Sequence, residues 1–141
     1  MQFKIREYYY ECYDARRSNR YRDLAAQMSP ELKGKLSTYS CKYILKVRYF
    51  RIGSHEFLGE VFERLKISVF SPKELIFSAE SLMILYKGVA LSDGRVLSKG
   101  SIWSEDFILT NSKLQILITV VAFTYCNAQS LVRECCLCSI C

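Results

Sequence analysis

The chain is poor in the residues from which many catalytic sites are built. Its 141 residues include one histidine, His55, six glycines and two prolines. A single histidine gives no Ser-His-Asp or Cys-His set for nucleophilic catalysis. At the expected start of a helix, His55 reads as a capping or surface residue. No glycine-rich loop of the nucleotide-triphosphate kind occurs. Glu105 and Asp106 adjoin, but neighbours in sequence do not make a general acid and base. An enzyme is therefore not expected. Long apolar runs are also missing. The longest, Leu114 to Cys126, is broken by Gln115, Thr119 and Thr124 and falls short of the about 20 residues of a membrane helix. Its β-branched content suits a buried strand. The start, Met1-Gln-Phe-Lys-Ile-Arg-Glu, is charged and has no secretory apolar core. There is no internal repeat and no low-complexity tract.

What remains is the composition of one globular domain with a core. Hydrophobic residues make up 50% and charged residues 24%, which excludes a disordered chain. The net charge is +6, and the lysines and arginines gather in the first half. A basic half suits nucleic acid, an acidic membrane surface, an acidic partner subunit, or simply a solvated helical face; nucleic acid is not the expected partner. Seven cysteines are present, and Cys135, Cys136, Cys138 and Cys141 crowd the end. Without a secretory signal, reduced thiols in a cytosolic setting are expected rather than a disulfide framework. The terminal cluster lacks two spaced ligand pairs, and His55 is far off in sequence, so no zinc site is assigned.

The first half reads as helix. Ile5, Tyr9, Cys12 and Tyr13 recur at helical spacing within residues 2–28, with the polar stretch Arg16–Arg20 expected to bend or loosen the helix. Ser29-Pro30-Glu31 is a start signal: a cap, a first-turn proline and an acid for the dipole. Leu32 and Leu36 mark the apolar face beyond it. A third helix is expected over Cys41–Val47, with Ile44, Leu45 and Val47 buried. A fourth runs from about Ser54 to Leu65 on a Phe57, Leu58, Val61, Phe62, Leu65 stripe.

After Leu65 the period changes to two. Short strands are expected at Lys66–Phe70, Leu75–Phe77, Leu82–Tyr86, Val89–Leu91, Arg95–Leu97, Leu114–Val121 and Phe123–Gln129. Ser71-Pro72-Lys73, Lys87-Gly88, Ser92-Asp93-Gly94 and Ser98-Lys99-Gly100 separate them, and Asp93-Gly94 is the strongest hairpin signal. Residues 130–137 are expected to begin a closing helix. Helices first and strands second make an α+β plan, with the strands in a sandwich, roll or barrel.

Three stretches carry a family resemblance. Arg6-Glu-Tyr-Tyr-Tyr-Glu-Cys-Tyr13, Tyr21-Arg-Asp-Leu24 and Met28-Ser-Pro-Glu-Leu-Lys-Gly34 form the first. Phe70-Ser-Pro-Lys-Glu-Leu-Ile-Phe77 with Met83-Ile-Leu-Tyr-Lys-Gly-Val89 forms the second. Gly94 to Asn111, followed by Ala122-Phe-Thr-Tyr-Cys126, forms the third. In order and spacing they resemble the carboxy-terminal region of cyclic-nucleotide-gated and ether-à-go-go-type voltage-gated potassium channels, with Gly94 to Asn111 most similar to protist and algal members. The resemblance implies C-linker-like helices over residues 1–50. It implies a cyclic-nucleotide-binding-like antiparallel β-roll over 51–141, a jelly roll closed by a short C-terminal helix. It also implies a homotetramer whose neighbouring subunits are partners, a place on the cytoplasmic side of a membrane, and possible contact of the basic helices with acidic inner-leaflet lipid.

The segment Gly94–Asn111 has the outline of the family's phosphate-binding cassette. Where the cassette begins Phe-Gly-Glu, this chain has Trp103, Ser104 and Glu105. The resemblance gives the Glu105 carboxylate to a ribose hydroxyl. The family's glycine lets backbone N–H groups approach the cyclic phosphate, and Ser104 puts a side chain there. Nine positions beyond the glutamate a binder carries an arginine that pairs with the phosphate; here stands Leu114, followed by Gln115, with Lys113 one position early. The turn Ser78–Ser81 is also shorter than the family's Gly-Asp-containing loop. These departures imply a regulatory or gating module with weak or absent binding of cAMP or cGMP and no other cofactor. The alternative is a genuine cAMP or cGMP receptor domain, of a channel or of a soluble kinase-regulatory protein, anchored by Glu105 and Lys113. Arg16-Arg-Ser-Asn19 only superficially resembles a kinase-inhibitory segment.

Overall fold

The structure, a computed structural model, describes residues 2–40, 42–78 and 80–133. Helix α1 (Gln2–Ala26) is continuous. The Arg16–Arg20 stretch does not interrupt it, because arginine is a good helix former and its side chains find partners one or two turns away. Arg17 donates to the Tyr21 hydroxyl at 3.4 Å, and Arg16 lies over the Tyr9 ring. Ala15, Ser18, Arg22 and Ala25 form the covered stripe, while Ile5, Tyr9, Tyr10 and Tyr13 are exposed.

Helix α2 (Pro30–Ser40) starts at the Ser29 cap, whose hydroxyl accepts from the Leu32 N–H at 3.4 Å. Its packed face differs from the expected one. Leu32 is exposed, and Gly34 and Ser37 are buried against α4 (His55–Arg64). A β-carbon on Gly34 would lie 2.6 Å from the His55 carbonyl oxygen, so the two helices touch at backbone distance. The fourth expected helix is this α4, capped by Ser54, which accepts from the Phe57 N–H. Leu58, Val61, Phe62 and Leu65 are buried as the stripe requires.

The expected helix at 41–47 is replaced by a 3₁₀ turn at Ile44–Lys46 and a four-residue helix α3 (Arg48–Arg51); Cys41 lies outside the described residues. Ile44, Val47 and Phe50 are the buried positions. Their spacing of three is the 3₁₀ period, in which residues i and i+3 eclipse.

Eight strands follow: β1 (Lys66–Phe70), β2 (Leu75–Ile76), β3 (Ser81–Lys87), β4 (Ala90–Ser92), β5 (Arg95–Leu97), β6 (Ile102–Trp103), β7 (Val120–Ala122) and β8 (Cys126–Val132). They form two four-stranded antiparallel sheets, ordered β1-β8-β3-β6 and β2-β7-β4-β5. β1 and β5 have their expected bounds. Asp93 and Gly94, both at positive φ, close the β4–β5 hairpin with Ser92 opposite Arg95.

The first sheet is covered on both faces, as the unbroken run Leu82-Met-Ile-Leu85 demands. Leu82 and Ile84 meet the helices in a core with Phe50, Leu58, Phe107 and Leu131. Met83 and Leu85 meet the second sheet in a core with Ala90, Trp103, Val120 and Ala128. The sequence places strands at Leu114–Val121 and Phe123–Gln129, but β7 holds only Val120–Ala122 and β8 is shifted to Cys126–Val132. β8 continues where the closing helix was expected to begin, because Ser130, Leu131 and Val132 pair with Met83, Leu82 and Ser81. Residues 134–141, with the rest of that helix and the cysteine cluster, lie outside the described residues.

Candidate functional site

The cassette-like segment leaves the first sheet through β6. Trp103 pairs with Met83 of β3 and is buried between the sheets, its indole N–H without a partner. It is a core residue, where the sequence reading assigned it to the site. Ser104 follows with φ 58° and ψ 43°, in the left-handed region that favours glycine. A serine in this conformation costs roughly 1–2 kcal/mol. Its hydroxyl is buried and donates to the hydroxyl of Ser78 at 2.8 Å, a bond that contributes about 1 kcal/mol. The backbone thus makes the turn a glycine would make, and the space above it holds a side chain tied to the neighbouring loop.

Glu105 opens a 3₁₀ turn (Glu105–Ile108) and is exposed. Its carbonyl accepts from the Tyr49 hydroxyl at 3.0 Å, which fastens the segment to α3. Phe107 is buried in the helix-side core. Trp103 and Phe107 therefore anchor the two sides of the turn in separate cores.

The far half of the loop closes on itself. The Asn111 side chain accepts from the Lys113 N–H at 3.1 Å, the Asp106 carboxylate accepts from the Ile116 N–H, and the Gln115 amide donates to the Leu109 carbonyl. These side chains satisfy the backbone locally in place of a strand ladder, which is why the strand expected from Leu114 is absent. Lys113 and Leu114 lie in a second 3₁₀ turn (Ser112–Leu114) and are exposed. Leu114 is 59% exposed and carries no charge where the resemblance places a phosphate partner.

Arg133, just beyond β8, completes the closure. Its guanidinium donates to the Leu109 carbonyl at 3.1 Å and to the Glu80 carboxylate at 2.7 Å. Its N–H bonds the Glu80 carbonyl at 3.0 Å. The cassette-like loop, the β2–β3 turn and the end of β8 are thereby clasped together. Ser78, Glu80, Tyr49, Asp106 and Arg133 were not legible as site residues. The short turn Ser78–Ser81 is the nearest signal, and nothing in the sequence pattern marks Arg133.

The structure thus brings Trp103, Ser104 and Glu105 together at one end of the loop and Lys113, Leu114 and Gln115 at the other. Glu105 and Lys113 remain exposed polar groups; the Ser104 hydroxyl, the Gln115 amide and the Arg133 guanidinium are engaged by the protein itself. Among the described residues no group of three or more His, Cys, Asp or Glu is placed to hold a metal ion, and no helix is long and apolar enough to cross a membrane.

No protein-family model matches the sequence, and no curated protein matches it. Solved structures do resemble it. A cyclic nucleotide-binding-like protein from Brucella abortus superimposes with a TM-score of 0.60 at 17% identity, covering 70% of this chain and 95% of that one. At that identity the likeness defines the fold. The chain has the architecture of the cyclic-nucleotide-binding-like proteins: helices followed by an antiparallel roll of eight strands.

Proposed function

We propose that the chain is a regulatory module in which the cyclic-nucleotide-binding roll serves coupling rather than nucleotide sensing. We further propose that it belongs to a tetrameric voltage-gated or cyclic-nucleotide-gated potassium channel and lies on the cytoplasmic side of the membrane. The observation that supports this is the Ser104–Ser78 hydroxyl bond, which lies where the resemblance puts the glycine that admits a cyclic phosphate. Leu114 compounds it: a missing charged contact to a desolvated phosphate costs on the order of 2–5 kcal/mol, roughly 30-fold to several-thousand-fold in affinity.

The attachment of α1 supports a coupling role. Lys87 at the end of β3 pairs with Glu11 at 2.8 Å, and Tyr125 donates to the Lys4 carbonyl at 3.2 Å. A shift of the roll is passed to the long helix through these contacts. The exposed tyrosines of α1 suit a neighbouring subunit, and its arginines suit acidic inner-leaflet lipid.

Calorimetric titration with cAMP and cGMP tests the nucleotide half of this reading. No saturable heat is expected from the natural sequence, and binding is expected to appear in the Ser104→Gly, Leu114→Arg double variant. Saturable heat at micromolar ligand from the unmodified chain would favour the receptor reading, with Glu105 and Lys113 as anchors. The channel half is tested by the coding sequence upstream of Met1. Apolar spans and a pore loop are expected there, and a coding sequence without them would overturn it.

A further inference from the structure

A second region of the molecule has the makings of a binding site and lies away from the cassette-like loop. Between α1, α2 and the helix-side face of the first sheet is a cavity of about 990 Å³, floored by Ile67, Tyr86 and Gln129. A smaller cavity of about 270 Å³ lies under α1, shares Ser18, Tyr21, Ile67 and Tyr86 with the first, and reaches Asn127.

The charge around the larger cavity is of one sign. Arg22, Lys35, Lys42 and Lys99 line it, and no acidic residue does. Lys35 is engaged by Glu31 at 2.8 Å, and Arg22 lies over the Phe62 ring. The remaining two, Lys42 and Lys99, lie over tyrosine rings, and Lys46, outside the lining, shares one of those rings. Lys42 and Lys46 sit 5.4 and 5.3 Å from the centre of the Tyr43 ring, and Lys99 sits 5.4 Å from that of Tyr86. Lys46 also donates to the Gly100 carbonyl at 3.4 Å, which draws the Lys42–Lys46 segment to the loop bearing Lys99. Like charges gathered on one side of a cavity repel, and a bound anion turns that repulsion into attraction.

The floor contributes polarity of another kind. A bulge in β3 at Tyr86 sets Lys87, rather than Tyr86, opposite Asn127, and both Tyr86 and Lys87 line the cavity under α1. Asn127 is 4% exposed, and its carboxamide oxygen has no hydrogen-bond partner. A buried acceptor without a donor is a cost that a ligand hydroxyl can remove. Gln129, also buried, adds a second carboxamide beside it.

We propose that the joined cavities bind a phosphorylated ring polyol, a sugar or inositol phosphate. Its phosphates sit at the Lys42 and Lys99 mouth, with Lys46 beside it, its ring lies against Tyr43 and Tyr86, and its hydroxyls run over Gln129 to Asn127. The same chemistry is offered by a free inositol phosphate and by the headgroup of an inositol lipid. The site stands whether or not the cassette-like loop binds a nucleotide.

The test titrates the 141-residue chain with inositol 1,4,5-trisphosphate, with myo-inositol and inorganic phosphate as controls. Saturable binding of the trisphosphate is expected, well above that of either control. It should fall about tenfold or more in the Lys42→Glu, Lys99→Glu variant, whose exposed positions leave the fold intact, as unchanged thermal melting would verify. Asn127→Leu, which removes the acceptor, should weaken binding several-fold, and Ser104→Gly should leave it unchanged. Phosphatidylcholine vesicles with and without phosphatidylinositol bisphosphate separate the sources. Capture by the bisphosphate vesicles that the free trisphosphate reverses assigns the lipid headgroup, and binding of the free trisphosphate alone assigns a soluble ligand. No saturable binding, equal binding by the charge-reversed variant, inorganic phosphate binding as tightly as the trisphosphate, or vesicle capture that the trisphosphate does not reverse would each overturn the proposal.

Discussion

Ser104 and Ser78 meet hydroxyl to hydroxyl at 2.8 Å across the start of the cassette-like loop, with Ser104 in the left-handed conformation. Strain and bond oppose each other at one residue, and two substitutions separate them. Ser104→Ala keeps the strained backbone and deletes the bond, so it should lower the unfolding free energy by about 1–2 kcal/mol. Ser104→Gly deletes the bond and relaxes the backbone, and should stay within about 1 kcal/mol of the natural sequence. Urea denaturation of the two variants decides it. Equal losses would mean that the left-handed turn stores no strain.

The Arg133 clasp makes a second prediction. Arg133 is mostly covered, while Glu80 is more than half exposed, so solvent screens the ion pair and its coupling should be only about 0.5–1 kcal/mol in a double-mutant cycle with Glu80→Ala. The bond to the Leu109 carbonyl adds to the cost of Arg133→Ala, which should total about 1–2 kcal/mol. Amide exchange should quicken around residues 105–116, and the β1–β8 ladder should keep its protection. Uniform loss of protection would contradict a local clasp.

Cys126 sets a pH dependence. Its thiol is buried and donates to the Val89 carbonyl at 3.1 Å. Burial pushes its pKa up, outweighing nearby hydrogen bonds, foremost from Thr124, that pull it down. The folded chain then keeps a proton that the unfolded chain releases above the ordinary thiol value of about 8.5. The contribution to stability is fully present below that pH and is lost as pH rises towards the folded value. Cys126→Ala should flatten this alkaline slope, though it lowers stability at all pH by opening a small cavity. Parallel slopes for the two proteins would contradict it.

Much of this architecture is written in side-chain periodicity. β1, β5, the buried stripe of α4 and the Asp93-Gly94 hairpin follow from period and turn chemistry, while the cap of α4 is Ser54 rather than His55. The departures occur where backbone partners, not side-chain pattern, decide. The run Leu114 to Thr119 looks like a strand because of its apolar content, but Asp106, Asn111 and Gln115 take up the backbone groups and donors of the loop, and Ile116 and Leu117 stay 72% and 86% exposed. Ile44, Val47 and Phe50 repeat every three residues, which a helical template blurs. β6 holds two residues and is too short to carry a period. At the site, Ser104 stands where the resemblance puts a glycine, and its φ is positive, in the region that favours glycine. Its partner Ser78, 26 residues away, and the Arg133–Leu109 bond, spanning 24, arise only from the sheet order.

The proposed coupling role requires a roll that is kept and a cassette-like loop that takes no cyclic phosphate. Calorimetric titration of the unmodified chain with cAMP tests it most directly. No saturable heat is expected at micromolar nucleotide. A saturable micromolar isotherm that Glu105→Ala abolishes would contradict it.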